Sequence, residues 1–198
     1  EAAMAEPLAV CLHAIKQAGK IFGQKVLITG SGPIGTLCVA ASRRAGAEEI
    51  IVTDISKNAL TFANSIGADR VINVLEEHDK LQIYKSNKGY FDIAIECSGS
   101  EQGISDSINC LKPKGTLIQL GLGGDAVIPL VLVTTKELNL RGSFRFHSEF
   151  ELAVNMMKKK LINVNPLITH KVDFKSAKKG FELALNNDEQ SMKVQLSF

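Results

Sequence analysis

A doubly wound α/β fold, with six parallel strands covered by helices on both faces, is what this 198-residue sequence predicts. Short apolar runs alternate with amphipathic segments of helical period through the first three quarters of the chain. The first run, Val26-Leu27-Ile28, leads into Gly30, Gly32 and Gly35, spaced G-x-G-x-x-G. The second ends in Asp54, about 20 residues beyond that turn.

The elements follow in order. Glu6 to Ala18 predicts a helix with Pro7 near its first turn and Leu8, Cys11, Leu12 and Ile15 on one side. Gly19 and Gly23 punctuate the approach to a strand at Lys25 to Thr29. A helix runs from Ile34 to Ala45, with Pro33 in its first turn, where a missing N–H costs nothing. Glu49 to Thr53 is the second strand, Ser56 to Ile66 a helix stopped by Gly67, and Arg70 to Val74 the third strand. A polar stretch carries a weak helix at Asp79 to Tyr84. Phe91 to Cys97 is a fourth strand, Glu101 to Leu111 a helix, and Lys112 to Gly115 a turn. Thr116 to Leu120 is the fifth strand, entering Gly121-Leu122-Gly123-Gly124, and Leu138 to Phe144 is the sixth.

The last fifty residues change character. A helix at Glu149 to Leu161 precedes strands at Ile168 to Phe174 and Lys193 to Phe198, with a helix at Lys175 to Leu185 between them. These strands do not extend the six-strand pattern and predict an excursion into a neighbouring layer. The chain accordingly divides into a linking helix (1–18), a dinucleotide-binding unit (19–147) and a C-terminal segment (148–198).

In a doubly wound sheet, ligands sit outside the carboxyl ends of the strands. The glycine turn there has three separate jobs. Gly30 permits the tight turn, Gly32 lets a pyrophosphate approach the backbone, and Gly35 lets helix and strand pack closely. The helix dipole and the free N–H groups of the turn favour an anion. Asp54 stands where a carboxylate would accept from the adenosine ribose, and otherwise caps the following helix.

Composition excludes several classes. The net charge of +2 carries no nucleic-acid footprint. No apolar run reaches the ~20 residues of a membrane span, and the first residues lack the basic segment of a secretory signal. Cys11, Cys38, Cys97 and Cys110 have no C-x-x-C spacing and no histidine placed as zinc sites require, so no metal set is encoded. Cys38 and Cys97 read as small buried hydrophobes, which suits a cytoplasmic protein. His13, on the first helix, reads as a packed or surface histidine rather than a ligand, and His147 and His170 receive no role.

Taken together, Ala5-Glu-Pro-Leu-Ala-Val10 with His13-Ala14, Gly30-Ser-Gly-Pro-Ile-Gly35, Thr53-Asp54, Ile95-Glu-Cys-Ser-Gly99, Leu120-Gly-Leu-Gly123 and Arg141-Gly-Ser-Phe-Arg145 resemble the zinc-dependent medium-chain alcohol dehydrogenases. Within them the match is to the polyol branch of sorbitol and L-idonate 5-dehydrogenases, over Glu6 to Phe198. The resemblance implies a Rossmann domain binding NAD. It also implies that the catalytic-zinc ligands lie in an amino-terminal domain preceding this chain, whose core Ile168 to Phe198 would complete. Carried over residue by residue, the ribose carboxylate falls on Asp54 and the pyrophosphate contact on Ile34. The family's basic residue five positions past that carboxylate is Ala59 here, with Lys57 as a substitute. The nicotinamide side falls on Leu120, Gly121, Leu122, Ser143, Phe144 and Arg145. Glu6 matches a glutamate beside the zinc, and Arg145 an arginine that binds substrate.

The resemblance implies oxidation of a polyol or sugar acid by hydride transfer to NAD, with zinc held in the intact enzyme but not by this chain. Phe146 stands where sorbitol dehydrogenase has a tyrosine, and a phenyl ring donates no hydrogen bond, which favours a sugar acid such as an idonate. A homodimer or homotetramer is expected through an edge strand at Ala126 to Pro129. Two other readings stay open: a non-catalytic NAD-binding module and an S-adenosylmethionine-dependent methyltransferase, whose cofactor lacks a pyrophosphate.

Overall fold

The computed structural model describes residues 1–185 and 191–198. Helix α1 (Ala5–Ala18) precedes β1 (Lys25–Thr29), α2 (Pro33–Arg44), β2 (Glu49–Asp54), α3 (Lys57–Ile66) and β3 (Arg70–Asn73). Next come α4 (His78–Gln82), β4 (Phe91–Glu96), α5 (Glu101–Cys110), β5 (Leu111–Gln119), α6 (Leu130–Thr135) and β6 (Asn139–Gly142). Strands β1 to β6 form one parallel sheet in the order β3-β2-β1-β4-β5-β6, so the direction of winding reverses between β1 and β4. That reversal opens a crevice at the carboxyl ends of β1 and β4.

Successive side chains on the central strands point to opposite faces. Val26, Ile28, Ile50, Val52 and Ile95 pack in one core with Leu8 and Leu12 of α1 and Leu37 of α2. Leu27, Ile51, Ile72, Ala94 and Leu117 pack in a second core with Ile108 of α5, Tyr84 and Phe91. Because both faces are covered, these strands read as unbroken apolar runs rather than alternating ones.

The expected turn at Lys112 to Gly115 lies within β5. Phe91 pairs with Leu111, but Ile93 pairs with Thr116, so the residues between bow out of register. Turn chemistry survives there: Lys114 has φ +66°, and its N–H donates to Lys136 O at 2.7 Å. The same irregularity sends Phe91 and Ile93 to opposite cores. The expected edge strand at Ala126 to Pro129 is not one. Among the described residues they pair with no strand, and the sheet edges are β3 and β6. Pro129 instead leads into α6, which buries Leu132 and Val133 in part and leaves Leu130 and Val131 exposed.

After the sheet, α7 (Glu149–Lys158) packs on α1, and its buried Ala153 joins the first core. Strands β7 (Ile168–Asp173) and β8 (Lys193–Ser197) form a separate two-stranded parallel sheet, with α8 (Ala177–Leu185) following β7. Gly180 lets α8 approach β8, since a Cβ there would stand 2.9 Å from Leu196. The small sheet is separate from the six-stranded one, in keeping with the break in strand pattern.

Candidate cofactor site

The glycine turn is built as its spacing requires. Gly30 has φ +86°, and its N–H donates to Thr53 O at 2.8 Å, closing β1 on β2. A Cβ at Gly35 would stand 1.8 Å from Gly30 O, so the first turn of α2 rests directly on the end of β1. Gly32 is the N-cap of α2, Pro33 is its first residue, and no side chain caps the helix. A Cβ at Gly32 would meet nothing within 4 Å. Uncapped N–H groups, a helix dipole and open space together fit an anionic group such as a pyrophosphate.

Asp54 is tied to this turn. Its Oδ2 accepts from Ser31 N at 2.5 Å and its Oδ1 from Ser56 N at 2.8 Å. The cap of α3 belongs to Ser56, whose Oγ accepts from Ala59 N at 3.3 Å. Asp54 is therefore held at the strand end with lone pairs to spare, as a ribose-binding carboxylate must be. Lys57 Nζ lies 2.8 Å from Glu76 Oε1, and both side chains are exposed. The structure joins Lys57 to Glu76, not to Asp54.

The loops after β4 and β5 meet backbone to backbone. A Cβ at Gly121 would stand 2.2 Å from Gly99 N, and one at Gly123 would stand 1.9 Å from Gly99 O. Beneath them lies Glu96, fully buried and missed by the sequence reading. Its carboxylate accepts from Ser98 N at 2.8 Å, from Gly99 N at 3.0 Å, from Gln119 Nε2 at 2.7 Å and from the Ser98 hydroxyl. Thr29 Oγ1 donates to it at 3.4 Å, and its own carbonyl accepts from Leu120 N and Gly121 N. One side chain thus joins the ends of β1, β4 and β5. An acid closing an apolar strand immediately before Cys-Ser-Gly was the available signal, because exposed N–H donors follow it.

Leu120 is buried, while Leu122 is 82% exposed beside a cleft of about 390 Å³ that Gly99, Gly121 and Gly142 also line. Ser143 N donates to Gln119 O at 2.9 Å, and its buried hydroxyl has no partner. Phe144 is exposed, with the Arg145 guanidinium 5.4 Å from its ring centroid. Arg145 has φ +55°, an uncommon conformation for a residue with a Cβ. Phe146 turns inward and stacks on Phe150 at 5.6 Å. Glu6 is exposed in the first turn of α1 and forms no ion pair with Arg145. The structure therefore gathers the residues of the glycine turn, Asp54 and the β5 loop, but does not join Glu6 to Arg145.

Titratable groups elsewhere have local explanations. The Cys38 and Cys97 thiols are held well above the ordinary range, Cys38 chiefly by its hydrogen bond with Cys11 and Cys97 chiefly by its bond with Cys38. Cys38 is buried as expected; Cys97 is only half-buried because it turns at the strand end. Glu149 is lowered to about 2, first by Lys16 Nζ at 2.8 Å, against the opposing effect of burial. Sequence spacing could not reveal that pair, which spans α1 and α7. No three His, Cys, Asp or Glu residues come together to hold a metal among the described residues. No helix among them is long and apolar enough to cross a membrane.

A family model described as zinc-binding dehydrogenase matches residues 33–159, and the chain belongs to that family. It is 39% identical over 197 residues to L-idonate 5-dehydrogenase (NAD(P)(+)) of Escherichia coli, covering 99% of this chain and 57% of that protein. It is 36% identical over 187 residues to sorbitol dehydrogenase of Bos taurus, covering 92% and 52% respectively. The crystal structure of the Escherichia coli L-idonate 5-dehydrogenase superposes with a TM-score of 0.94 at 38% identity, covering all of this chain and 56% of that one. The chain spans about half the length of the curated relatives it matches.

Proposed function

We propose that this chain is the NAD-binding portion of a zinc-dependent dehydrogenase that oxidises a secondary alcohol of a polyol or sugar acid. The observation that carries the reading is the uncapped N-terminus of α2 beyond an open Gly32, with the Asp54 carboxylate hydrogen-bonded to the same turn. Gly30, Gly32, Pro33, Ile34 and Gly35 receive the pyrophosphate, and Asp54 accepts from the adenosine ribose. Leu120, Gly121 and Leu122, with Ser143, Phe144 and Arg145, receive the nicotinamide end. The orphaned Ser143 hydroxyl supplies a hydrogen-bonding group there. Bound NAD provides the hydride acceptor; the protein holds and orients it.

Substrate chemistry rests on less of the chain. Arg145 offers a fixed cationic fork to a hydroxyl or carboxylate, and Glu6 stands on the substrate side. Zinc is assigned to residues outside 1–198, so these residues alone carry no turnover. Residues 19–147 form the cofactor unit, and 148–198 return to the catalytic domain. Exposed Phe174 and Phe198, stacked at 4.8 Å on the small sheet, support an apolar surface that other residues of the whole enzyme would cover. The enzyme is cytoplasmic and assembles through the β6 edge as a homodimer or homotetramer.

The rival cofactor is S-adenosylmethionine, which has a ribose but no pyrophosphate. Isothermal titration with both compounds separates the readings. NADH binding without S-adenosylmethionine binding supports the proposal; the reverse overturns it.

A further inference from the structure

We propose that the buried Glu96 carboxylate biases the nicotinamide site toward the oxidised cofactor. The inference rests on the reading that the nicotinamide lies against the β5 loop. Glu96 lies directly beneath that loop: a Cβ on Gly121 would stand 2.7 Å from its Oε2. Every polar neighbour of the carboxylate donates to it. They are the Ser98 and Gly99 amides, the Gln119 side-chain amide and the Ser98 and Thr29 hydroxyls. Donors on every side suit the carboxylate form, which only accepts. Among the described residues no lysine, arginine or histidine forms an ion pair with it.

The hydrogen bonds stabilise the charge but do not cancel it. Because Glu96 is itself fully buried, its field reaches the crevice less screened than that of a surface carboxylate. Oxidised nicotinamide is a cation and reduced nicotinamide is neutral, while the rest of the two cofactors is the same. A fixed anion under Gly121 therefore favours NAD⁺ over NADH without touching either. A role confined to tying the loops together would act equally on both.

The test is the ratio of NAD⁺ to NADH affinity, measured by titration calorimetry on this chain. Glu96→Gln removes the charge and keeps an acceptor for the Ser98 and Gly99 amides. Gln119→Lys leaves Glu96 in place and sets a cation against its Oε2; Gln119 is half-buried and lines the cleft. Each variant is expected to weaken NAD⁺ relative to NADH by about tenfold, the order expected of one unit charge across a partly hydrated site. Should Glu96→Gln fail to fold, a Gln119→Lys variant with the unmodified chain's ratio overturns the inference. Equal weakening of the two cofactors, or a shift favouring NAD⁺, overturns the inference and leaves Glu96 as a structural tie. Failure of the unmodified chain to bind either cofactor overturns the nicotinamide reading itself.

Discussion

Two glycines three residues apart should fail in different ways when given a methyl group. At Gly35 a Cβ would stand 1.8 Å from Gly30 O and 2.9 Å from Gly30 C. Both neighbours are backbone, so no side chain can swing aside, and α2 must lift off the end of β1. Overpacking of this kind costs about 1–3 kcal/mol. For a chain of this size that is a fall in Tm of roughly 2–12 °C. At Gly32 a Cβ meets nothing within 4 Å, and the backbone has φ −61°, which alanine adopts freely. Alanine is a poorer N-cap than glycine, but it also restricts the unfolded chain, and the two effects nearly cancel. Gly32→Ala should therefore keep its stability within about 0.5 kcal/mol. Its methyl occupies the path of the pyrophosphate, so NADH affinity should still fall at least tenfold. Differential scanning calorimetry and NADH titration on the two variants check this. A stable Gly35→Ala, or a Gly32→Ala that binds NADH normally, would refute the reasoning about the turn.

Three further outcomes follow from other parts of the molecule. Asp54→Ala should weaken NADH binding and bring NADH and NADPH affinities together, because the carboxylate that repels a 2′-phosphate is gone; an unchanged preference in parallel titrations counts against it. Glu149 has a folded pKa of about 2 against an ordinary value of 4.5, so its contribution is complete above about 4.5 and is lost as pH falls toward 2. Urea unfolding from pH 6 to pH 2.5 should show Glu149→Gln less stable at the upper end and converging on the unmodified chain at the lower; a constant difference would contradict the Lys16 pairing. Val127 is 77% exposed beside exposed Leu130 and Val131 near the β6 edge, and light scattering should find a dimer that Val127→Lys dissociates. A monomer in the unmodified chain removes that edge from consideration.

Local signals carried much of this fold into the sequence. Val26 to Ile28, the glycine spacing, Pro33 and Asp54 are each decided within a few residues of their neighbours. Strand, turn and helix there could be read in order. The irregular start of β5 could not. Lys112 to Gly115 has turn composition, and only the pairing of its flanks, Leu111 and Thr116, with β4 carries it within a strand. Glu96 was hidden for a related reason. An acid at a strand end resembles a solvated one until the Gly121 loop, arriving from β5, closes over it. Lys136 shows the same limit. It is a charged residue buried because its Nζ donates to the carbonyls of Ile108, Asn109 and Leu111, none near it in sequence. The candidate site was legible where a motif sets it and illegible where tertiary contact does.

The most direct measurement is a crystal structure of this chain with NAD⁺. The account predicts the pyrophosphate against the backbone of Gly32 and Ile34, with the adenosine ribose hydroxyls donating to Asp54. It also predicts the nicotinamide against Gly121 and Leu122. A cofactor bound elsewhere, or one whose ribose leaves Asp54 bonded only to Ser31 and Ser56, would contradict it.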